Sequence, residues 1–150
     1  MNPRERQLSV YACEEAALAG AGRNFRDLRE VRAYLDEIIG SDWWADRWPH
    51  VEAIPVARTR SERFSGYAVE GSGEIRVGSL SEPLVLHEVA HVVTPGNGHG
   101  PAFVDALLAL VRERLGFHAY GALLAEFRQR HVVGRETAND SDQPEDSDPG

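Results

Sequence analysis

The chain contains no lysine, and all sixteen of its basic residues are arginine, which reads as a compositional bias without mechanistic meaning. It has one cysteine, Cys13, so neither an internal disulfide framework nor a cysteine-built zinc site can form within it. That fits a reducing compartment. Cys13 lies in an alanine-rich stretch and reads as a small packing residue. No stretch approaches the roughly 20 apolar residues that a membrane-spanning helix needs, the longest comparable run being Ala106 to Val111. The opening residues Met1-Asn2-Pro3-Arg4-Glu5-Arg6-Gln7 are charged and lead into no apolar secretion signal. A cytoplasmic protein without membrane partners is expected.

At 150 residues the chain can bury a core unaided. The net charge is −8, yet residues 135–150 alone carry six acids against one arginine. A single domain over residues 1–133 and a disordered acidic tail over residues 134–150 are therefore expected. Arg23, Arg26, Arg29 and Arg32 recur every three residues and would form a ridge on a helix. Asp27, Glu30 and Asp36 neutralise it, so no nucleic-acid partner is expected. Oligomeric state is left open.

A first helix is expected over residues 4–19, with a weak stripe through Leu8, Tyr11, Ala12, Ala16 and Ala19 before Gly20. Asp27 and Glu30 form a capping-box pattern ahead of a clear helical stripe through Leu28, Val31, Leu35, Ile38 and Ile39. Trp43, Trp44 and Trp48 fall in a short connection; clustered tryptophans could line a substrate groove, but they read first as a seal on one edge of a core. Residues 51–57 contain Pro55 and suit an edge or irregular strand. Tyr67/Val69 and Ile75/Val77 alternate around Gly71-Ser72-Gly73 as a hairpin would. Further helices are expected from Pro101 to about Leu115 and from Ala119 to His131, the former packing on the helix that precedes it.

The chemistry concentrates in His87-Glu88-Val89-Ala90-His91 and in His99. An α-helix turns about 100° per residue, so histidines four apart share a face and can grip one ion. Neutral imidazole suits a borderline-soft divalent cation, and catalytic zinc keeps three protein ligands with a fourth position for water. Ser81 is a candidate N-cap, Glu82 and Pro83 suit a first turn, and the helix that follows is apolar nearly all round, as a buried helix is. Thr94-Pro95-Gly96-Asn97-Gly98 must end it and turn the chain. Seven residues separate His91 from His99, enough for a loop to return the third imidazole to the first two. Glu88 is turned off the ligand face by about a quarter turn and is the candidate general base, then acid.

The string His87-Glu88-Val89-Ala90-His91-Val92-Val93-Thr94-Pro95-Gly96-Asn97-Gly98-His99-Gly100-Pro101-Ala102-Phe103 resembles a family of small metallohydrolases of actinobacteria and their phages. That resemblance extends over nearly the whole length, including the N-terminal helix, the tryptophan-rich stretch and the central strands. The pattern is also similar, more distantly, to SprT-like zincins, where HExxH is followed by a His-Gly pair. The resemblance implies an α+β, zincin-like fold: N-terminal helices, a small mainly antiparallel sheet, and an HExxH helix packed against C-terminal helices. It implies Zn2+ held by His87, His91 and His99, with Glu88 catalytic. It names no substrate. The spacing departs from HExxHxxGxxH, so the chain is not expected to be a metzincin.

Alternatives remain. Glu113 or Asp105 could serve as a carboxylate third ligand, and His118, Tyr120 or Tyr67 could steady a developing oxyanion. His50 and His131 have no motif around them. The expected activity is peptide-bond hydrolysis, with an exposed strand edge pairing an extended peptide or protein substrate. The rivals are a metal-stabilised interaction module without turnover, and a SprT-like protease acting on DNA-associated proteins.

Overall fold

The computed structural model describes residues 1–59, 66–69 and 72–137, with Gly66 and Tyr67 described by their backbone alone. The tail expected over 134–150 therefore lies outside the described residues from 138 onward, as do Glu70 and Gly71 of the expected hairpin. Among the described residues the protein is α+β, with six helices and a three-stranded mixed sheet. It forms two compact units, one of Met1–Ala19 with the chain from Asn97 onward, the other Gly20–Gly96.

In the first unit, α1 (Pro3–Leu18) starts from a capping box in which the Asn2 side chain accepts from Glu5 N and Glu5 reaches back to Asn2 N. Its buried face is Val10, Cys13 and Leu18, not the expected Leu8/Tyr11 stripe, and Leu8 and Tyr11 are exposed. Burial follows the neighbour: α1 packs on α6 (Phe117–Gln129). The helix α5 (Pro101–Leu115) also packs on α6. Gly116 at φ +97° separates the two, and α6 begins two residues before the expected Ala119.

In the second unit, Asp27 caps α2 (Leu28–Ile39), accepting from Glu30 N at 3.0 Å. Glu30 does not close the expected box. Its carboxylate accepts from Arg26 N instead, at 2.9 Å. The tryptophan connection is a short helix, α3 (Asp42–Arg47), because Ser41 caps it and Trp44 is anchored inside. Trp44 is buried, donates Nε1–H to Val51 O at 2.9 Å and packs its ring on Trp48, while Trp43 and Trp48 are half-buried.

The sheet runs β1 (Val56–Arg58), β3 (Glu74–Val77), β2 (Gly66–Val69) in spatial order. Its edges are β1, just after Pro55, and β2. The hairpin pairing is antiparallel, with Ala68 opposite Ile75, but β1 and β3 are parallel, so the sheet is mixed where a mainly antiparallel one was expected. The order explains this, since the chain visits the far edge as β2 before returning to the middle as β3. The inward Ile75 and Val77 are fully buried. On this sheet lies α4 (Glu82–Val93), packed against β2 and β3.

No helix among the described residues is long and apolar enough to cross a membrane.

Candidate metal centre

The helix α4 begins where the sequence places it. Ser81 accepts from Leu84 N at 3.4 Å and Pro83 occupies the first turn, where its missing N–H costs nothing. Val85 through Ala90 are buried without a break, so His87 and Glu88 sit in the interior, Glu88 at 1% exposure. His91 is half-buried. The two imidazoles face each other edge to face with centroids 4.9 Å apart, as the i, i+4 spacing requires.

A buried carboxylate fixes the start of this helix. Glu82 accepts from the Tyr34 hydroxyl at 2.5 Å and from Arg23 N at 3.1 Å, and Glu82 N donates to Arg23 O at 2.9 Å. Phe25 N donates to Leu80 O, and the Phe25 and Tyr34 rings pack at 5.0 Å. A carboxylate at a helix N-terminus also meets the positive end of the helix dipole. The first turn of α4 is thus tied to α2 five residues before His87.

After Val93 the chain turns through Thr94, whose hydroxyl donates to Ala90 O at 2.6 Å. Gly96 at φ +77° and Gly98 at φ +62° adopt the left-handed conformation that glycine takes without strain. Asn97 then organises the next helix: its Oδ1 accepts from Phe103 N at 3.0 Å, and its backbone carbonyl accepts from Gly100 N at 3.1 Å. A Cβ on Gly100 would stand 2.9 Å from that Oδ1, so glycine is needed for the close approach. His99 is held in this turn, half-buried, its ring edge-on to Phe103 at 4.9 Å and to Tyr11 at 5.7 Å.

The outcome is a cluster. One nitrogen from each of His87, His91 and His99 lies within 4.8 Å of the others, and the three can hold one metal ion. Tetrahedral zinc with bonds of about 2.0–2.1 Å spaces its nitrogens by roughly 3.4 Å, which is inside the 4.8 Å bound of the cluster. The Nε2 atoms of His87 and His99 and Oε2 of Glu88 are shielded from solvent, which strengthens any charge interaction among them.

The alternative ligands stand elsewhere. Glu113 is exposed. Asp105 accepts from Arg135 N at 2.7 Å, and burial raises its pKa above the usual carboxylate value. Of the three candidates for an oxyanion donor, His118 is exposed, and the Tyr120 hydroxyl donates to Glu136, a bond that also raises the Tyr120 pKa. The Tyr67 side chain lies outside the described residues. His50 and His131 are exposed, and so are Arg23, Arg26, Arg29 and Arg32, with Arg26 beside Glu30 at 3.4 Å. The Glu82 clamp, the Asn97 cap and the Tyr11 contact were not expected. Only Asn97 has a local signature, a capping residue just ahead of Gly100-Pro101.

No protein-family model, no curated protein and no solved structure matches the chain.

Proposed function

We propose that this protein is a zinc-dependent metallohydrolase acting on peptide bonds, with His87, His91 and His99 as metal ligands and Glu88 as general base. The observation that carries the reading is the convergence of three imidazole nitrogens within 4.8 Å, with a buried glutamate directly following the first histidine. The donor set favours zinc, since neutral imidazoles suit it and, among the described residues, no thiolate or carboxylate joins the group. Bound zinc polarises a carbonyl oxygen and lowers the pKa of water to about 7.

The chain's own residues supply the rest. Glu88 accepts the proton of the attacking water and passes it to the departing amine. Its burial keeps the carboxylate away from bulk solvent, so the proton it takes is retained for that second transfer. The α4 helix fixes the relative placement of His87, Glu88 and His91, and the Asn97 turn brings in His99. Among the described residues β1 and β2 are the edge strands, and an extended peptide would pair with the backbone of one of them. A purely structural zinc site is normally closed by four protein ligands, whereas three gather here among the described residues, which favours turnover over a static cross-link.

The reading is tested by metal analysis of the purified protein together with digestion of a peptide library before and after chelation. One zinc per chain and chelator-sensitive cleavage are expected. Cleavage that survives complete zinc removal would overturn the assignment.

A further inference from the structure

The third histidine differs from the other two in what holds it. His87 and His91 are carried by a buried helix, but His99 sits in a loop between Gly98 at φ +62° and Gly100, and a short turn by itself does not set an imidazole's rotation. The χ2 torsion of histidine is broad and has no sharp intrinsic minimum. Two aromatic rings pack against His99. Phe103 meets His99 at 4.9 Å with an interplanar angle of 77°, and Tyr11 meets it at 5.7 Å and 62°. Both are the edge-to-face arrangements that aromatic quadrupoles favour.

The two rings are unlike each other. Phe103 is fully buried and belongs to the core of its unit. Tyr11 is 41% exposed and lies off the buried face of α1, which is Val10, Cys13 and Leu18. Those three residues, not Tyr11, form the face of α1 that is out of contact with solvent. The Tyr11 ring nonetheless rests on His99.

We propose that Tyr11 is a positioning residue of the metal centre: with Phe103 it holds the His99 imidazole edge-on, so that a nitrogen points towards His87 and His91. Metal-ligating histidines are commonly oriented by a second partner whose loss weakens metal binding; here ring packing performs that task. This rests on the metal-binding part of the function proposed above.

The experiment compares wild type, Tyr11→Phe and Tyr11→Ser, using zinc affinity by competition with a chelating dye, the visible spectrum of the cobalt-loaded protein, and thermal melts of the metal-free protein. Tyr11→Phe keeps the ring and should match wild type. Tyr11→Ser should bind zinc about tenfold more weakly and shift the cobalt bands, while its metal-free melt stays at the wild-type temperature. The proposal is overturned by a serine variant with wild-type zinc affinity and cobalt spectrum. It is equally overturned if the phenylalanine variant is as weak as the serine one, or if the metal-free serine variant melts as much earlier as the zinc-loaded one. A wild type that takes up no zinc removes the underlying metal reading, a result distinct from wild type and serine variant binding one zinc alike.

Discussion

The Tyr34 hydroxyl donates to the buried carboxylate of Glu82 at 2.5 Å, joining residues 48 positions apart and fastening the first turn of the motif helix to α2. A hydrogen bond to a charged acceptor in such a place contributes about 1.5–3 kcal/mol. Tyr34→Phe should lower unfolding stability in urea by that order and leave the slope of the transition unchanged. A midpoint equal to wild type would show that the clamp is not needed to seat α4.

Asn97 and Gly100 form the next joint. Asn97→Ala removes the acceptor for Phe103 N and should cost about 1 kcal/mol, the usual loss for a helix cap. Gly100→Ala places a methyl 2.9 Å from Asn97 Oδ1 and 3.0 Å from its carbonyl oxygen, so the turn must shift. Both variants should weaken zinc binding more than a surface substitution such as Glu113→Ala, as read by competition with a chelator.

Metal removal should be visible in the melt. A ligand at about 100 times its dissociation constant stabilises the folded state by about 2.7 kcal/mol. Adding excess chelator should therefore lower the melting temperature of wild type but leave that of His91→Ala unchanged. Equal responses of the two proteins would separate the melt from the histidine cluster.

Cys13 gives a pH signature. Burial is the main cause that pushes its thiol from an ordinary value near 9.0 up to about 11. The raised pKa means the folded state keeps its proton where the unfolded chain has lost it. This contribution to stability is complete below about pH 9 and declines as the pH rises from there through about 11. Cys13→Ala should flatten the fall in unfolding free energy over that window. The native thiol should also resist alkylation at pH 8 and react once the protein is unfolded in urea, as mass spectrometry would show.

Local signals made much of this legible. The Ser81 cap, the apolar run of α4 and the breaker run at residues 94–98 are all encoded within a few residues of where they act, and so is the spacing that brings His87 and His91 to one face. The stripe of α2 and the pairing of β2 with β3 are local in the same sense. What could not be read depends on distant partners. The buried face of α1 is chosen by α6, so the apolar Leu8 is exposed while Cys13 is inside. The parallel pairing of β1 with β3 depends on which edge the intervening strand takes, and Glu82 looks like an ordinary first-turn acid until Tyr34 is seen beside it.

The central claim is that a zinc held by His87, His91 and His99 works together with the Glu88 carboxylate. Its most direct test loads wild type and Glu88→Gln with zinc to the same stoichiometry and measures cleavage of a peptide that wild type hydrolyses. The account predicts one zinc per chain in both and a rate in the glutamine variant lower by at least about 100-fold, the scale of general acid–base catalysis. Equal rates at equal zinc content would contradict it.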